Sequence, residues 1–348
     1  MQSTITSRSL NPLSLCLWAC LLLSSAMTVG AHAQGLRPSP PTAEELAELG
    51  LLEQRIQVGA ATRWLLVQPP VDPSRPAPVI VLLHGGTLSM RRSFATNAGA
   101  TRGWPSVARR ENALLLVPNA TNPKTGDPAS DDQVWNDLRR GVNRESSADD
   151  VSFILAMLDW AHETYTTDRS RVYVTGGSNG GMMTFRLLME APERFAAAAT
   201  FVASLPDDDA LLVRPARPTP LLIAHGTADP LVKWDGGDIA GGRGRMRSAS
   251  ASVAWWIAAN KASPEPAVTS TLPHRNPKDK CVIEMKRHAP QANGAVVEAY
   301  TMVGGGHAIP SARYPIPDNL ITRRYIGAVC QDAEGAELAW TFMSRYRR

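Results

Sequence analysis

Short, continuous apolar runs recur along this chain, and most of them are bounded by Gly or Pro. The run Val79–Leu83, between Pro78 and His84, is typical of a strand that is buried on both faces of a parallel sheet. The pattern predicts such strands at Val79–Leu83, Ala113–Val117, Arg171–Thr175, Ala197–Val202, Leu221–Ala224 and Val296–Met302, with an edge strand at Trp64–Gln68.

Helical patterns fall between these strands. The segment Asp149–Thr164 begins with two acidic residues, which favour the positive end of a helix dipole. Further helices are predicted at Asn179–Glu190, Ala249–Asn260 and Glu334–Tyr346. Alternation of strands and helices indicates βαβ units, so we predict an α/β fold with a mostly parallel sheet and helices on both faces. Two long loops, Asn119–Ser147 and Asp235–Arg247, are expected to be functional.

The N-terminus has the features of a secretory signal peptide. An apolar stretch, Leu13–Val29, precedes the small residues Ala31 and Ala33. We therefore predict a signal peptide over residues 1–33, a single domain over residues 34–348 and a secreted or periplasmic location. An uncleaved anchor and a lipoprotein attached through Cys20 are the alternatives. Residues 34–50 are expected to form a loosely held arm that contains a short helical patch.

Composition and charge exclude several classes of protein. The 348 residues are 44% hydrophobic and 20% charged, which is ordinary for a globular protein and unlike a disordered one. A net charge of +4 gives no reason to expect nucleic acid as a partner. Export would leave Cys281 and Cys330, and an even pair in an oxidising compartment predicts a disulfide. Two separate buried thiols are the alternative.

The candidate chemistry begins at Ser178. The sequence Gly176-Gly177-Ser178-Asn179-Gly180 fits the pattern G-x-S-x-G between a predicted strand and a predicted helix. That setting is typical of a nucleophile elbow, in which a strained turn exposes the serine at the carboxyl edge of the sheet. A glycine-rich turn without chemistry is the competing interpretation.

A serine nucleophile needs a base and a carboxylate that orients the base. Asp229 follows the strand Leu221–Ala224, whereas its rivals Asp207, Asp208, Asp209 and Asp235 lie in charged or more distant loops. His307 follows three glycines after the strand Val296–Met302, and we select it as the base. The other histidines are expected to shape turns (His84, His225) or to be solvated (His162, His274, His288).

The reaction also needs donors for the oxyanion. The backbone N–H of Asn179, directly after the nucleophile at a helix N-terminus, is expected to supply one. The second is expected from the loop that follows Val79–Leu83, with Gly86 as first choice and Thr87 as the alternative.

Taken together, these residues resemble a known family. The segments LLHGG (82–86), VWNDLR (134–139), RVYVTGGSNGGMMTFRL (171–187), HGTADPLVKWDGG (225–237) and GGGHAIP (304–310) are similar to those of the secreted polyhydroxybutyrate depolymerase and feruloyl esterase group, the LpqC-like α/β-hydrolases. The resemblance covers roughly residues 60 to 310 and the terminal helix. It implies an α/β-hydrolase fold and the triad Ser178, Asp229 and His307. Many relatives carry Cys where this chain has Gly86, and Ser311–Val329 has no counterpart in the pattern.

The resemblance also implies a function and a binding residue. It suggests that Trp135 lines the substrate pocket, while a structural tryptophan that caps the loop remains equally open. The expected activity is hydrolysis of carboxylic esters through an acyl-enzyme, on a small or oligomeric substrate, with no metal or organic cofactor. Acyl transfer by the same triad and a non-catalytic binding protein are the alternatives. The individual ester and the oligomeric state are not predicted.

Overall fold

The centre of the molecule is a ten-stranded sheet. The computed structural model describes residues 39–141, 146–239, 241–314, 316–317 and 319–348. Within them the sheet has the order β1-β2-β4-β3-β5-β6-β7-β12-β11-β10, and β8 and β9 form a separate two-stranded hairpin. The strands are β1 (Leu52–Val58), β2 (Ala61–Gln68), β3 (Ala77–Leu83), β4 (Leu114–Pro118), β5 (Thr167–Gly177), β6 (Ala197–Phe201), β7 (Leu221–Gly226), β8 (Gly237–Asp238), β9 (Arg245–Met246), β10 (Val268–Thr271), β11 (Val282–His288) and β12 (Val297–Val303).

The middle of this sheet is parallel. Strand β3 pairs in parallel with β4 and β5, and the series continues through β6 and β7 to β12. Every residue of β3, β6 and β7 is buried, as expected for strands covered on both faces. The carboxyl ends of β3, β5, β6, β7 and β12 therefore lie along one edge of the sheet, which we call the carboxyl edge.

Helices cover both faces of the sheet. They are α1 (Ala43–Glu48), α2 (Trp104–Arg110), α3 (Asp150–Thr164), α4 (Asn179–Glu190), α5 (Ala249–Ala259), α6 (Leu320–Tyr325) and α7 (Gly335–Met343). On β3, Val79 and Val81 belong to a core cluster shared with α3, α4 and α5, while Ile80 belongs to a second cluster shared with α1, α2 and α7. The alternation of side chains along one strand thus builds two cores, and the predicted α/β architecture is confirmed.

Two predictions near the N-terminal end of the sheet are wrong. Strand β2 is not an edge strand, because β1 folds back onto it through a two-residue turn at Gly59 and covers its outer side. The segment before β1 is not a loose arm over residues 39–50. Thr42 and Glu45 form a reciprocal cap on α1, and Leu46 is buried in the core.

Residues 39–348 form one compact unit. The predicted signal peptide, residues 1–33, lies outside the described residues. Within the described ranges, no helix is both long enough and apolar enough to cross a membrane.

Candidate active site

Ser178 lies in a strained turn between β5 and α4. Its backbone has φ 54° and ψ −125°, a conformation that L-residues rarely adopt, and it serves as the N-cap of α4. The flanking glycines are required by space: a Cβ on Gly180 would collide with the carbonyl oxygens of Leu83 and His84, and one on Gly176 would collide with Gly180. The close approach of helix and strand thus projects Ser178, which is half-buried, at the carboxyl edge.

Backbone strain is concentrated at this edge. Among the described residues, seven non-glycine residues have positive φ, and four of them lie on segments around Ser178: Thr87, Leu138, Ser178 itself and Val202. Val202 directly follows β6, and its N–H donates to the Ala224 carbonyl of β7 at 2.7 Å. Strained residues of this kind persist where surrounding structure holds them, and they cluster at functional sites.

Asp229 and His307 form a hydrogen-bonded pair at the same edge. The Nδ1 of His307 lies 2.7 Å from Oδ2 of Asp229, and both side chains are largely buried. The other oxygen of Asp229, Oδ1, accepts the N–H groups of Leu231 and Val232 at 2.8 and 2.9 Å. The carboxylate is therefore fixed at both oxygen atoms, Oδ1 by two backbone N–H groups and Oδ2 by the imidazole.

The loop that carries His307 extends toward the serine turn. A Cβ on Gly177 would lie 3.0 Å from Cδ1 of Ile309, two residues beyond His307. In the described part of the chain, no hydrogen bond joins the Ser178 hydroxyl to the His307 ring. Catalytic hydrogen bonds are often long in ligand-free enzymes and shorten when substrate binds.

Two backbone N–H groups next to Ser178 are the candidate oxyanion donors. Gly85 and Gly86 pack against the serine turn: a Cβ on Gly85 would lie 3.9 Å from the Ser178 Cβ, and one on Gly86 would lie 3.3 Å from the Asn179 Cβ. Among the described residues, the N–H groups of Gly86 and Asn179 have no hydrogen-bond acceptor, whereas the N–H of Thr87 donates to the Gln133 carbonyl at 2.8 Å. The geometry therefore favours Gly86 over Thr87.

Trp135 lies behind this site. The residue is 1% exposed, and its indole N–H donates to the His84 carbonyl at 2.9 Å. The sequence left two roles for Trp135, a structural one and a substrate-lining one. Its burial and its hydrogen bond to the His84 carbonyl favour the structural role.

The predicted disulfide between Cys281 and Cys330 is present, with Cα atoms 5.1 Å apart. It lies against Gly305, because a Cβ there would meet the sulfur atoms of both cysteines. The segment that ends at Cys330 also holds the histidine loop, since the N–H of Gly306 donates to the Ala328 carbonyl at 2.7 Å and that of His307 to the Ile326 carbonyl at 2.5 Å.

The histidines that were set aside are engaged elsewhere. Burial lowers the pKa of His84 to about 4, and its Nε2 accepts the Ala120 N–H at 3.2 Å. Burial also lowers the pKa of His225, whose Nε2 lies 2.8 Å from the Val232 carbonyl and 3.7 Å from Oδ2 of Asp229.

The histidines that were expected to be solvated also have partners. His162 contacts Thr167, and its pKa is lowered to about 4 by burial. His274 pairs with Asp332, and His288 contacts the Ser263 carbonyl.

The rival aspartates lie around the second long loop. Asp207 pairs with Arg245 at 2.9 Å, and Asp209 pairs with Arg247. These residues and Asp235 line a cleft of about 380 Å³ beside the β8–β9 hairpin. Among the described residues, no group of three or more His, Cys, Asp and Glu side chains could hold a metal ion.

Sequence reasoning missed one group at the site, the side chain of Asn179. Its Oδ1 accepts the Trp135 N–H at 2.8 Å, and its Nδ2 donates to Oδ2 of Asp137 at 2.6 Å. The turn pattern indicates only that the backbone of Asn179 is useful. Partners more than 40 residues away leave no local signal in the sequence.

Comparison with known proteins gives partial matches. Residues 132–206 match the model of the prolyl oligopeptidase family. The chain is 30% identical over 237 residues to NocK of Nocardia uniformis subsp. tsuyamanensis, which is named for an inferred esterase activity; the match covers 62% of this chain and 64% of NocK. It is 32% identical to the poly(3-hydroxybutyrate) depolymerase of Ralstonia pickettii over 36% of this chain and 25% of that protein. It is also 32% identical to feruloyl esterase B of Neurospora crassa, over 37% of this chain and 39% of that enzyme. The chain thus spans less than two thirds of each of these relatives.

Among solved structures, the acetyl xylan esterase from Aspergillus awamori aligns with a TM-score of 0.50 and 15% identity, covering 75% of this chain and 95% of that one. At this identity the likeness concerns the fold alone. The chain therefore has the α/β-hydrolase fold, and over part of its length it is similar in sequence to esterases.

Proposed function

We propose that this protein is a serine hydrolase of carboxylic esters that works through an acyl-enzyme. The observation that carries the proposal is the hydrogen bond between His307 and Asp229 at the carboxyl edge where Ser178 stands in a strained turn. The N–H groups of Gly86 and Asn179, which have no acceptor among the described residues, support it, because such donors stabilise the negative charge that develops during acyl transfer. The esterases among the relatives support the same reaction class.

In the first half of the proposed reaction, Oγ of Ser178 attacks the ester carbonyl carbon. His307 takes the serine proton on Nε2, because its Nδ1 is directed to Asp229. Asp229 stabilises the imidazolium that forms. The carbonyl oxygen, now negative, accepts from the N–H groups of Gly86 and Asn179. When the intermediate collapses, His307 returns the proton to the leaving alcohol, and the acyl group remains on Ser178.

In the second half, water replaces the alcohol. His307 removes a proton from water, the hydroxide attacks the acyl carbon, and the same N–H groups hold the second oxyanion. Collapse of this intermediate returns the proton to Ser178 and releases the acid. The atoms balance without a metal, a redox partner or an organic cofactor.

The proposed substrates are carboxylic esters, with polyester oligomers, feruloyl or acetyl esters and short-chain esters as the candidates. The relatives are named for poly(3-hydroxybutyrate) and for feruloyl and acetylxylan esters. We also propose that the protein is exported, since a disulfide between Cys281 and Cys330 suits an oxidising compartment.

The test compares the wild-type chain with Ser178→Ala on p-nitrophenyl butyrate, hydroxybutyrate oligomers, methyl ferulate and acetylated xylan. We expect the wild-type protein to hydrolyse at least one of them and kcat of the variant to fall by about 10⁴-fold or more. The disulfide between Cys281 and Cys330 should form in both proteins and serves as a check of folding. Full activity of Ser178→Ala would contradict the proposal.

A further inference from the structure

We propose that residues 133–137, which we call the clamp segment, hold the two oxyanion donors in register, and that Trp135 is its positioning residue. The inference rests on the proposed function and adds a residue that acts on catalysis without contacting substrate. It is carried by hydrogen bonds that join three separate parts of the chain: the loop after β3, the clamp segment and the first residue of α4.

The clamp segment holds both ends of the Gly85–Gly86 stretch. On one side, the indole N–H of Trp135 donates to the His84 carbonyl at 2.9 Å. On the other side, the N–H of Thr87 donates to the Gln133 carbonyl at 2.8 Å, and the Gln133 N–H donates to the Leu88 carbonyl at 3.0 Å. Two glycines have little conformational preference of their own. The position of the Gly86 N–H is therefore set by these contacts on either side of it.

The same segment is fastened to α4 through Asn179. The side-chain Oδ1 of Asn179 accepts the Trp135 N–H at 2.8 Å, and Nδ2 donates to the Trp135 carbonyl at 3.1 Å. Nδ2 also donates to Oδ2 of Asp137 at 2.6 Å, and Arg139 pairs with that carboxylate. Each of these groups is largely buried, so the contacts are made away from water. One segment therefore connects the two backbones whose N–H groups must converge on one oxygen atom.

His84 completes the arrangement. Its Nε2 accepts the Ala120 N–H, so the proton of the neutral ring is on Nδ1, which donates to the Gly85 carbonyl at 2.9 Å. Burial keeps the ring neutral by lowering its pKa to about 4. The imidazole faces the Trp135 indole with ring centroids 4.9 Å apart. The indole thus contacts the loop twice, through its N–H and through its ring.

A purely space-filling role for Trp135 is the competing explanation, and the chain contains a matched comparison. Trp256 on α5 is also fully buried, but its indole N–H has no hydrogen-bond partner among the described residues. Replacing each tryptophan by Phe removes the same atoms from a buried position. Only the change at Trp135 removes a hydrogen bond to the loop after β3, the one to the His84 carbonyl.

The experiment measures kcat and KM on a p-nitrophenyl ester, and the inhibition constant of an aryl boronic acid, for the wild-type chain, Trp135→Phe and Trp256→Phe. Positioning errors near 1 Å cost about 100-fold in rate, so we expect kcat of Trp135→Phe to fall between about 10-fold and 100-fold. KM should stay within about twofold, because the ester in its ground state makes little use of the donors. Affinity for the boronic acid, whose tetrahedral adduct resembles the intermediate, should fall by a similar factor to kcat. Trp256→Phe should keep wild-type kcat and affinity.

Other outcomes have defined meanings. A folded Trp135→Phe protein with wild-type kcat, or with kcat and boronic acid affinity that change independently, would overturn the inference while leaving the proposed function in place. If Trp135→Phe does not fold, Asn179→Ala tests the inference instead. This change releases the clamp segment from α4 but keeps the backbone N–H of residue 179. It should also lower kcat and leave KM within about twofold. A wild-type protein that neither hydrolyses esters nor binds the boronic acid would contradict the proposed function, and the inference with it.

Discussion

The two sides of Ser178 are held in place by different means. On the oxyanion side, the loop after β3 and the first residue of α4 are joined by buried hydrogen bonds to residues 133–137. On the histidine side, the loop that carries His307 donates backbone hydrogen bonds to the carbonyls of Ile326 and Ala328, next to a covalent bond between Cys281 and Cys330. On the oxyanion side, the backbone is positioned by directional side-chain and backbone hydrogen bonds. On the histidine side, the loop is restrained by backbone hydrogen bonds to a segment that the disulfide anchors.

This difference matches the role of each side in the proposed reaction. Oxyanion donors must be fixed before the charge develops, and close-packed buried contacts give that rigidity. In the proposed reaction, the histidine accepts a proton, turns its Nε2 between serine and leaving group, and returns the proton. Its loop contains three consecutive glycines, Gly304–Gly306, which leave the backbone adaptable, so an external restraint is needed to limit its range. We therefore expect damage on the oxyanion side to affect kcat chiefly and damage to the tether to affect stability as well.

The largest effect is expected from Asp229→Asn. Oδ1 of Asp229 accepts two N–H groups, so the amide of Asn must direct its oxygen to them and its NH₂ toward Nδ1 of His307. His307 would then carry its proton on Nε2 and could not accept the serine proton. We expect kcat to fall by about 10⁴-fold, measured by ester hydrolysis. Asp235→Asn, an exposed position, is the control and should retain wild-type kcat. Less than a 10-fold loss in Asp229→Asn would contradict the tautomer argument.

The tether on the histidine side is tested by the double variant Cys281→Ser with Cys330→Ser. For cysteines 49 residues apart, the chain-entropy model gives a loss of about 4 kcal/mol in unfolding free energy. The loosened histidine loop should also lower kcat. Denaturant unfolding and ester hydrolysis measure the two effects, and reduction of the wild-type protein with dithiothreitol should reproduce both. A reduced protein that keeps its full unfolding free energy and kcat would contradict the claim that the disulfide restrains the histidine side.

A smaller effect, on pH dependence, is expected from His84 on the oxyanion side. The pKa of His84 is about 4 in the folded protein, lowered by burial from the ordinary value of 6.5. Between these two values the unfolded chain binds a proton that the folded chain does not, so unfolding free energy decreases as pH falls from 6.5 to 4. The decrease due to this residue is about 3 kcal/mol. His84→Gln should show a shallower decrease over that range in denaturant titrations. Parallel curves for the two proteins would show that His84 is not buried as a neutral ring.

The central strands were predicted correctly, because continuous apolar runs are a local signal. The choice of Ser178, Asp229 and His307 as candidate site residues used a local signal too, namely their positions after predicted strands. Strand β3 is continuously apolar. Ser178 directly follows β5, whereas Asp229 and His307 lie three and four residues after the ends of β7 and β12. The outer strands carried weaker signals: β10 is exposed at every position, and β1 buries only Ile56, so neither shows an apolar run. The wrong assignment of β2 as an edge strand has the same origin, because β1, which pairs with its outer side, was not predicted.

Within the site, the unresolved choices depended on distant contacts. The sequence left Gly86 and Thr87 as alternative donors, and the carbonyl of Gln133 distinguishes them by occupying the N–H of Thr87. It left two roles for Trp135, and the contact of its indole with His84 favours the structural one. Both contacts join residues more than 40 positions apart, where neither periodicity nor spacing carries information. The tertiary structure alone provides them.

The central claim, that Ser178 is a nucleophile activated by His307, is tested most directly by covalent labelling. The wild-type chain is incubated with a fluorophosphonate, its mass is measured intact, and the modified peptide is sequenced. A single adduct on Ser178 is the predicted result, with labelling lost in Ser178→Ala and strongly slowed in Asp229→Asn. A folded wild-type protein that remains unmodified, or that is modified at another residue while Ser178 stays free, would contradict the account.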